Sequence, residues 1–126
     1  MTDLLELSDS ILAGDPWPEG FHPMRPDHRL GELADGVAMV SSFANVAVVS
    51  TGEGMVLFDT GSAPLAPTVV DAIRGWDPGR FHTAVYTHGH IDHVCGTPAF
   101  EAANVEAGAP PLTVVAHEAV TDRFDR

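Results

Sequence analysis

Lysine is absent from this chain of 126 residues, and its six basic side chains, all arginine, face eighteen acidic ones for a formal charge of −12. A surface of that sign repels phosphate backbones and anionic lipid, so neither nucleic acid nor a membrane surface is an expected partner. No run approaches the roughly 20 apolar residues needed to span a bilayer. The start, Met1-Thr2-Asp3, lacks the basic stretch of a secretory leader. The single cysteine, Cys95, cannot form an internal disulfide and cannot hold a structural zinc by itself. Together these absences lead to the expectation of a cytoplasmic protein. Neither a repeat nor a low-complexity tract occurs. What is present, 44% hydrophobic residues over this length, suffices for one domain with one core.

Apolar periodicity organises the chain. Leu4, Leu7 and Ile11 recur at helical spacing, which predicts a short amphipathic helix over 2–13. Prolines at 16, 18, 23 and 26 predict an irregular lead-in after it. Three valine-rich runs, 37–42, 45–50 and 55–59, then read as consecutive strands, the last two joined by a hairpin at Thr51-Gly52-Glu53-Gly54. Their nearly continuous apolar character is that of strands covered on both faces. A helix over 67–74 with Val70 and Ile73 inward, a strand over 83–87, a helix around 98–103 and a strand over 112–116 follow. The order of strands and helices makes the fold α/β or α+β.

Residues 87–93 read Thr-His-Gly-His-Ile-Asp-His, immediately after a predicted strand. Imidazole nitrogens and a carboxylate are ligands that zinc and other divalent transition metals accept. On a helix, residues two apart point in nearly opposite directions, so His88 and His90 could not share an ion there. In an extended strand end or loop, alternate side chains project to one side and can converge. Gly89 lets the backbone turn tightly between them. Asp92 and His93 offer a second pair. Two ions about 3.5–4 Å apart can hold a hydroxide between them and polarise the bond it attacks, so hydrolysis is the chemistry this pattern suits.

These residues resemble the His-x-His-x-Asp-His signature of the metallo-β-lactamase-fold superfamily of metal-dependent hydrolases. The resemblance implies that His88 and His90 serve one metal and that Asp92 and His93 serve the other, Asp92 also orienting the attacking water. Phe58-Asp59-Thr60-Gly61 is similar to the family's Asp-x-Gly element, which implies that Asp59 orients the metal loop by hydrogen bonds without ligating. The expected cofactor is Zn2+, two ions in a complete site, with Fe or Mn as alternatives. The expected reaction is cleavage of an ester, thioester, sulfate ester or lactone of a small-molecule substrate by a metal-bound hydroxide. Among subclasses, Phe43-Ala44-Asn45 and His117-Glu118 are similar to features of alkyl-sulfatase-like and glyoxalase-II-like members.

The resemblance also implies the fold: α+β, the N-terminal half of an αββα sandwich, a mixed sheet with flanking helices. Residues 1–35 are read as the N-terminal helix and Pro-rich lead-in, and 36–126 as the partial domain. Family members complete the site with another His, a bridging Asp and a final His well beyond the signature, whereas here His117 is the one histidine after His93. It reads as the cap of a last helix with Val120 and Phe124 inward, rather than as a third ligand. His22 and His28 read as exposed, His82 as lying just before a strand, and Cys95 as a buried small hydrophobe. The expectation is a missing C-terminal half, or self-association through an uncovered apolar sheet face. The alternative reading is a non-catalytic metal-binding or assembly subunit with a partial site.

Overall fold

Valine and alanine alternate along the middle of the chain, and the backbone answers with a ladder of short strands. The computed structural model describes residues 3–22 and 27–124. Its strands are β1 (Leu30–Ala34), β2 (Val37–Val40), β3 (Val46–Thr51), β4 (Gly54–Phe58), β5 (Phe81–Val85) and β6 (Thr113–Val115). They form one six-stranded sheet in sequential order. β1 to β4 are an antiparallel meander, and β4, β5 and β6 run parallel. Helices α1 (Leu4–Ala13), α2 (Ala66–Trp76), α3 (Ile91–Val94), α4 (Thr97–Glu106) and α5 (Ala119–Phe124) complete the fold. This is the α+β architecture expected, a mixed sheet with flanking helices. No helix among the described residues is long and apolar enough to cross a membrane.

Parallel neighbours require crossover connections, and here α2 and α4 supply them. Val69, Val70 and Ile73 of α2, with Phe100 and Ala103 of α4, pack over Ala38, Val40, Val46, Val48, Met55, Leu57, Phe81 and Ala84 to form the core. Phe81 and Phe100 meet edge to face with centroids 4.9 Å apart. Asn104 of α4 is fully buried among them. Its side chain accepts from the Phe81 N–H at 3.0 Å and donates to the Phe81 carbonyl at 2.8 Å and the Pro110 carbonyl at 3.2 Å. It thereby does for the start of β5 what a neighbouring strand would do. Asn104→Ala leaves the N–H and carbonyl of buried Phe81 unpaired and is expected to lower stability by about 3 kcal/mol, read from urea denaturation.

The strands were expected to be covered on both faces; the described residues cover one. Register places Val37, Met39, Ala47, Val49, Val56, Phe58 and Val85 on the other face, where Phe58 is 40% exposed. Helix α1 lies on that side, at its β1 edge. A Cβ at Gly31 would lie 2.8 Å from the Leu4 side chain, so glycine is what lets the helix sit there.

Several sequence expectations are corrected. The lead-in is not irregular to its end, because Leu30–Ala34 is a strand of the same sheet. Pro23 and Pro26, and Thr2 at the start of the first helix, lie outside the described residues. The hairpin connection is two residues rather than four, Thr51 pairing with Gly54. The strand read over 83–87 runs Phe81–Val85, so His82 lies within it and Thr87 in the loop after it. In α5, Val120 is buried but Phe124 is 52% exposed. His28 is half-buried, in contrast to exposed His22, and Cys95 is half-buried rather than buried.

Candidate metal centre

Because β4, β5 and β6 are parallel, their C-terminal ends share one edge of the sheet, the edge where open α/β sheets hold ligands. Asp59 follows β4, Thr87 to His93 follow β5, and His117 follows β6. Asp59 is 4% exposed and sits at φ +64°, in the left-handed region that a non-glycine residue rarely occupies. Aspartate tolerates that region better than most. Its N–H donates to the Val85 carbonyl at 2.9 Å, which ties the turn to β5. Three donors then converge on its carboxylate. The Thr87 N–H reaches Oδ1 at 2.8 Å, while the Thr87 hydroxyl and the His93 Nδ1–H both reach Oδ2 at 2.7 Å.

His90 is extended, at φ −77° and ψ 142°, and its carbonyl begins the single turn of α3. The expected alternation is present: Gly89 is buried, and a Cβ there would lie 3.4 Å from Val120 of α5, while His88 and His90 on either side are exposed. His88 Nε2 and His90 Nδ1 face each other at 2.8 Å. The neighbouring pair, His93 Nε2 and Asp92 Oδ2, is 3.7 Å apart. The His88 and His93 rings lie 4.1 Å apart between centroids, so the two pairs form one cluster. Ligand atoms of Asp59, His88 and His93 all lie within 4.8 Å of one another, a group able to hold a metal ion. The donor set, imidazole nitrogens with carboxylate oxygens, suits a divalent transition metal.

A backbone clamp holds α3 in place. The Thr60 N–H donates to the His93 carbonyl at 2.7 Å, and the Gly96 N–H donates to the Gly61 carbonyl at 2.9 Å. Thr60 Oγ1 meets Thr97 Oγ1 at 3.1 Å, Tyr86 Oη meets the same Thr97 hydroxyl, and Thr97 Oγ1 donates to the Val94 carbonyl at 3.0 Å. His117 accepts at Nδ1 from the Ala119 N–H at 3.1 Å and so caps α5. His117, Cys95 and the expected ligands His90 and Asp92 fall outside the three-residue metal-holding group, whereas Asp59, expected to act by hydrogen bonds alone, is part of it. Sequence reasoning missed Thr87, Thr60 and Gly96. The available signals were a hydroxyl residue flanking His88, and glycine and threonine closing each end of the paired loops.

The family model for the metallo-beta-lactamase superfamily matches residues 40–117. Among solved structures, the stereoselective inverting sec-alkylsulfatase of a Pseudomonas species is similar at 28% identity and TM-score 0.61, over 74% of this chain and 15% of that one. A subclass B3 metallo-beta-lactamase of Bradyrhizobium japonicum is similar at 26% identity and TM-score 0.53, over 71% and 33%. A metallo-beta-lactamase of Cronobacter sakazakii shares the fold at 19% identity and TM-score 0.60, over 80% and 35%. The chain thus spans well under half the length of these proteins. No curated protein sequence matches it.

Proposed function

The chain belongs to the metallo-beta-lactamase superfamily of metal-dependent hydrolases, and on that premise we propose that its loop over 87–93 binds zinc and serves hydrolysis of a small ester-type substrate. The substrate classes are ester, thioester, sulfate ester and lactone. The observation that carries the reading is the convergence of two imidazole nitrogens, His88 Nε2 and His90 Nδ1, at the strand edge of such a chain. Those two residues would hold one ion, and Asp92 with His93 would hold a second. Zinc bound there supplies Lewis acidity and a nucleophile at neutral pH. The rest falls to the chain's own side chains. Asp59 fixes the His93 ring through Nδ1, which leaves Nε2 free to ligate. Asp92, half-exposed beside His93, accepts the O–H of the attacking water and so aims its lone pair. The likeness to a sec-alkylsulfatase makes sulfate esters the first class to test.

The test is a zinc titration of purified protein by calorimetry, followed by assays on p-nitrophenyl sulfate and p-nitrophenyl acetate. Zinc binding at one or two equivalents with turnover above a His88→Ala/His90→Ala control is the expected result. Binding without turnover would favour a metal-binding or assembly subunit with a partial site. Binding no better than the control would overturn both.

A further inference from the structure

We infer that Thr87 is a positioning residue whose hydroxyl sets the tautomer of His88. The reading rests on the metal-binding role proposed for that histidine. Thr87 Oγ1 lies 2.7 Å from Asp59 Oδ2 and 2.9 Å from His88 Nδ1. A carboxylate only accepts, and a hydroxyl has one hydrogen to give. That hydrogen goes to Asp59, so toward His88 the oxygen can only accept, and the imidazole proton must sit on Nδ1. Nε2 is then the bare nitrogen, and it is the atom that faces His90 at 2.8 Å. The Thr87 N–H, held by the other carboxylate oxygen, fixes the backbone from which this hydroxyl reaches out. One buried carboxylate therefore orders two imidazoles, His93 directly and His88 through a threonine one residue away. A valine would have the same shape and none of this direction.

The test reads the tautomer without any metal. A long-range 1H–15N spectrum of labelled, metal-free protein at about pH 8, above the ordinary imidazole range, should show His88 protonated at Nδ1. Thr87→Val should shift His88 toward the Nε2–H form or a mixture, and Thr87→Ser should restore the original pattern. Zinc affinity, by competition with a chromophoric chelator, should fall about tenfold or more in Thr87→Val and return in Thr87→Ser. An Nε2–H signal for His88 in the unmutated protein overturns the inference, whether or not any variant folds. An unchanged tautomer in folded Thr87→Val does the same. Failure of the unmutated protein to bind zinc would sink the proposed function and leave the tautomer result standing.

Discussion

Gly96→Ala should deprive the chain of its native fold. A Cβ at that position would lie 1.9 Å from the Thr60 carbonyl oxygen, 2.8 Å from the Thr60 carbonyl carbon and 2.9 Å from the Ala66 Cβ. None of these is the free end of a flexible side chain, so the clash cannot be relieved by a rotamer change. The Gly96 N–H also bonds the Gly61 carbonyl, and Thr60 is tied to the His93 carbonyl, so separating the two segments breaks the clamp that holds α3. The expected loss exceeds about 4 kcal/mol, the diagnostic tail of single substitutions. Thermal denaturation with near-UV circular dichroism checks it, alongside Gly75→Ala as comparison. Gly75 is an exposed residue near the end of α2 with nothing within 4 Å of its would-be Cβ, so alanine there should stabilise by about 0.5–1 kcal/mol. A Gly96→Ala protein that melts within a few degrees of the parent would show that the two backbones are not in contact.

Asp59→Asn is the second large effect, and it acts on the metal rather than the fold. Asparagine keeps the shape and tolerates the left-handed backbone. With its oxygen accepting the Thr87 N–H, its NH2 must occupy the place of Oδ2, where His93 Nδ1 and the Thr87 hydroxyl now donate. Both partners must become acceptors. His93 then keeps its proton on Nε2, and the freed Thr87 hydrogen turns to His88 Nδ1, which drives that proton to Nε2 as well. The two nitrogens proposed to ligate zinc are thereby blocked. Zinc affinity should fall by about 100-fold, the upper end of effects from groups that orient metal ligands. Chelator competition on protein with parental near-UV dichroism measures it. Affinity within threefold of the parent would remove Asp59 from any orienting role.

Residues that act through side-chain pattern were legible; those that act through position in the completed fold were not. The valine-rich runs announced β2, β3 and β4 because their side chains alternate onto a buried face. The spacing of His88, Gly89 and His90 announced an extended strand end or loop, and His90 is extended in the loop after β5. β1 was hidden because Leu-Gly-Glu-Leu-Ala holds no β-branched residue, and its extended form comes from pairing with β2. The start of β5 was hidden because Phe81 owes part of its hydrogen bonding to Asn104, 23 residues away. The single turn of α3 is too short for periodicity to register. The hydroxyls of Thr60, Thr87 and Thr97 have no spacing rule at all, since each bonds whatever the tertiary fold brings near it.

The change from antiparallel to parallel pairing at β4 also imposes an order on self-assembly. In the meander, neighbouring strands are joined by connections of a few residues, so closing each loop costs little entropy. β5 and β6 must each wait for a crossover helix to dock before they gain a partner, and contacts so distant in sequence form slowly. Asp59 belongs to the early half, and the histidines it bonds belong to the late one. The proposed cation site is therefore completed at the end of folding, when the edge shared by the parallel strands has closed.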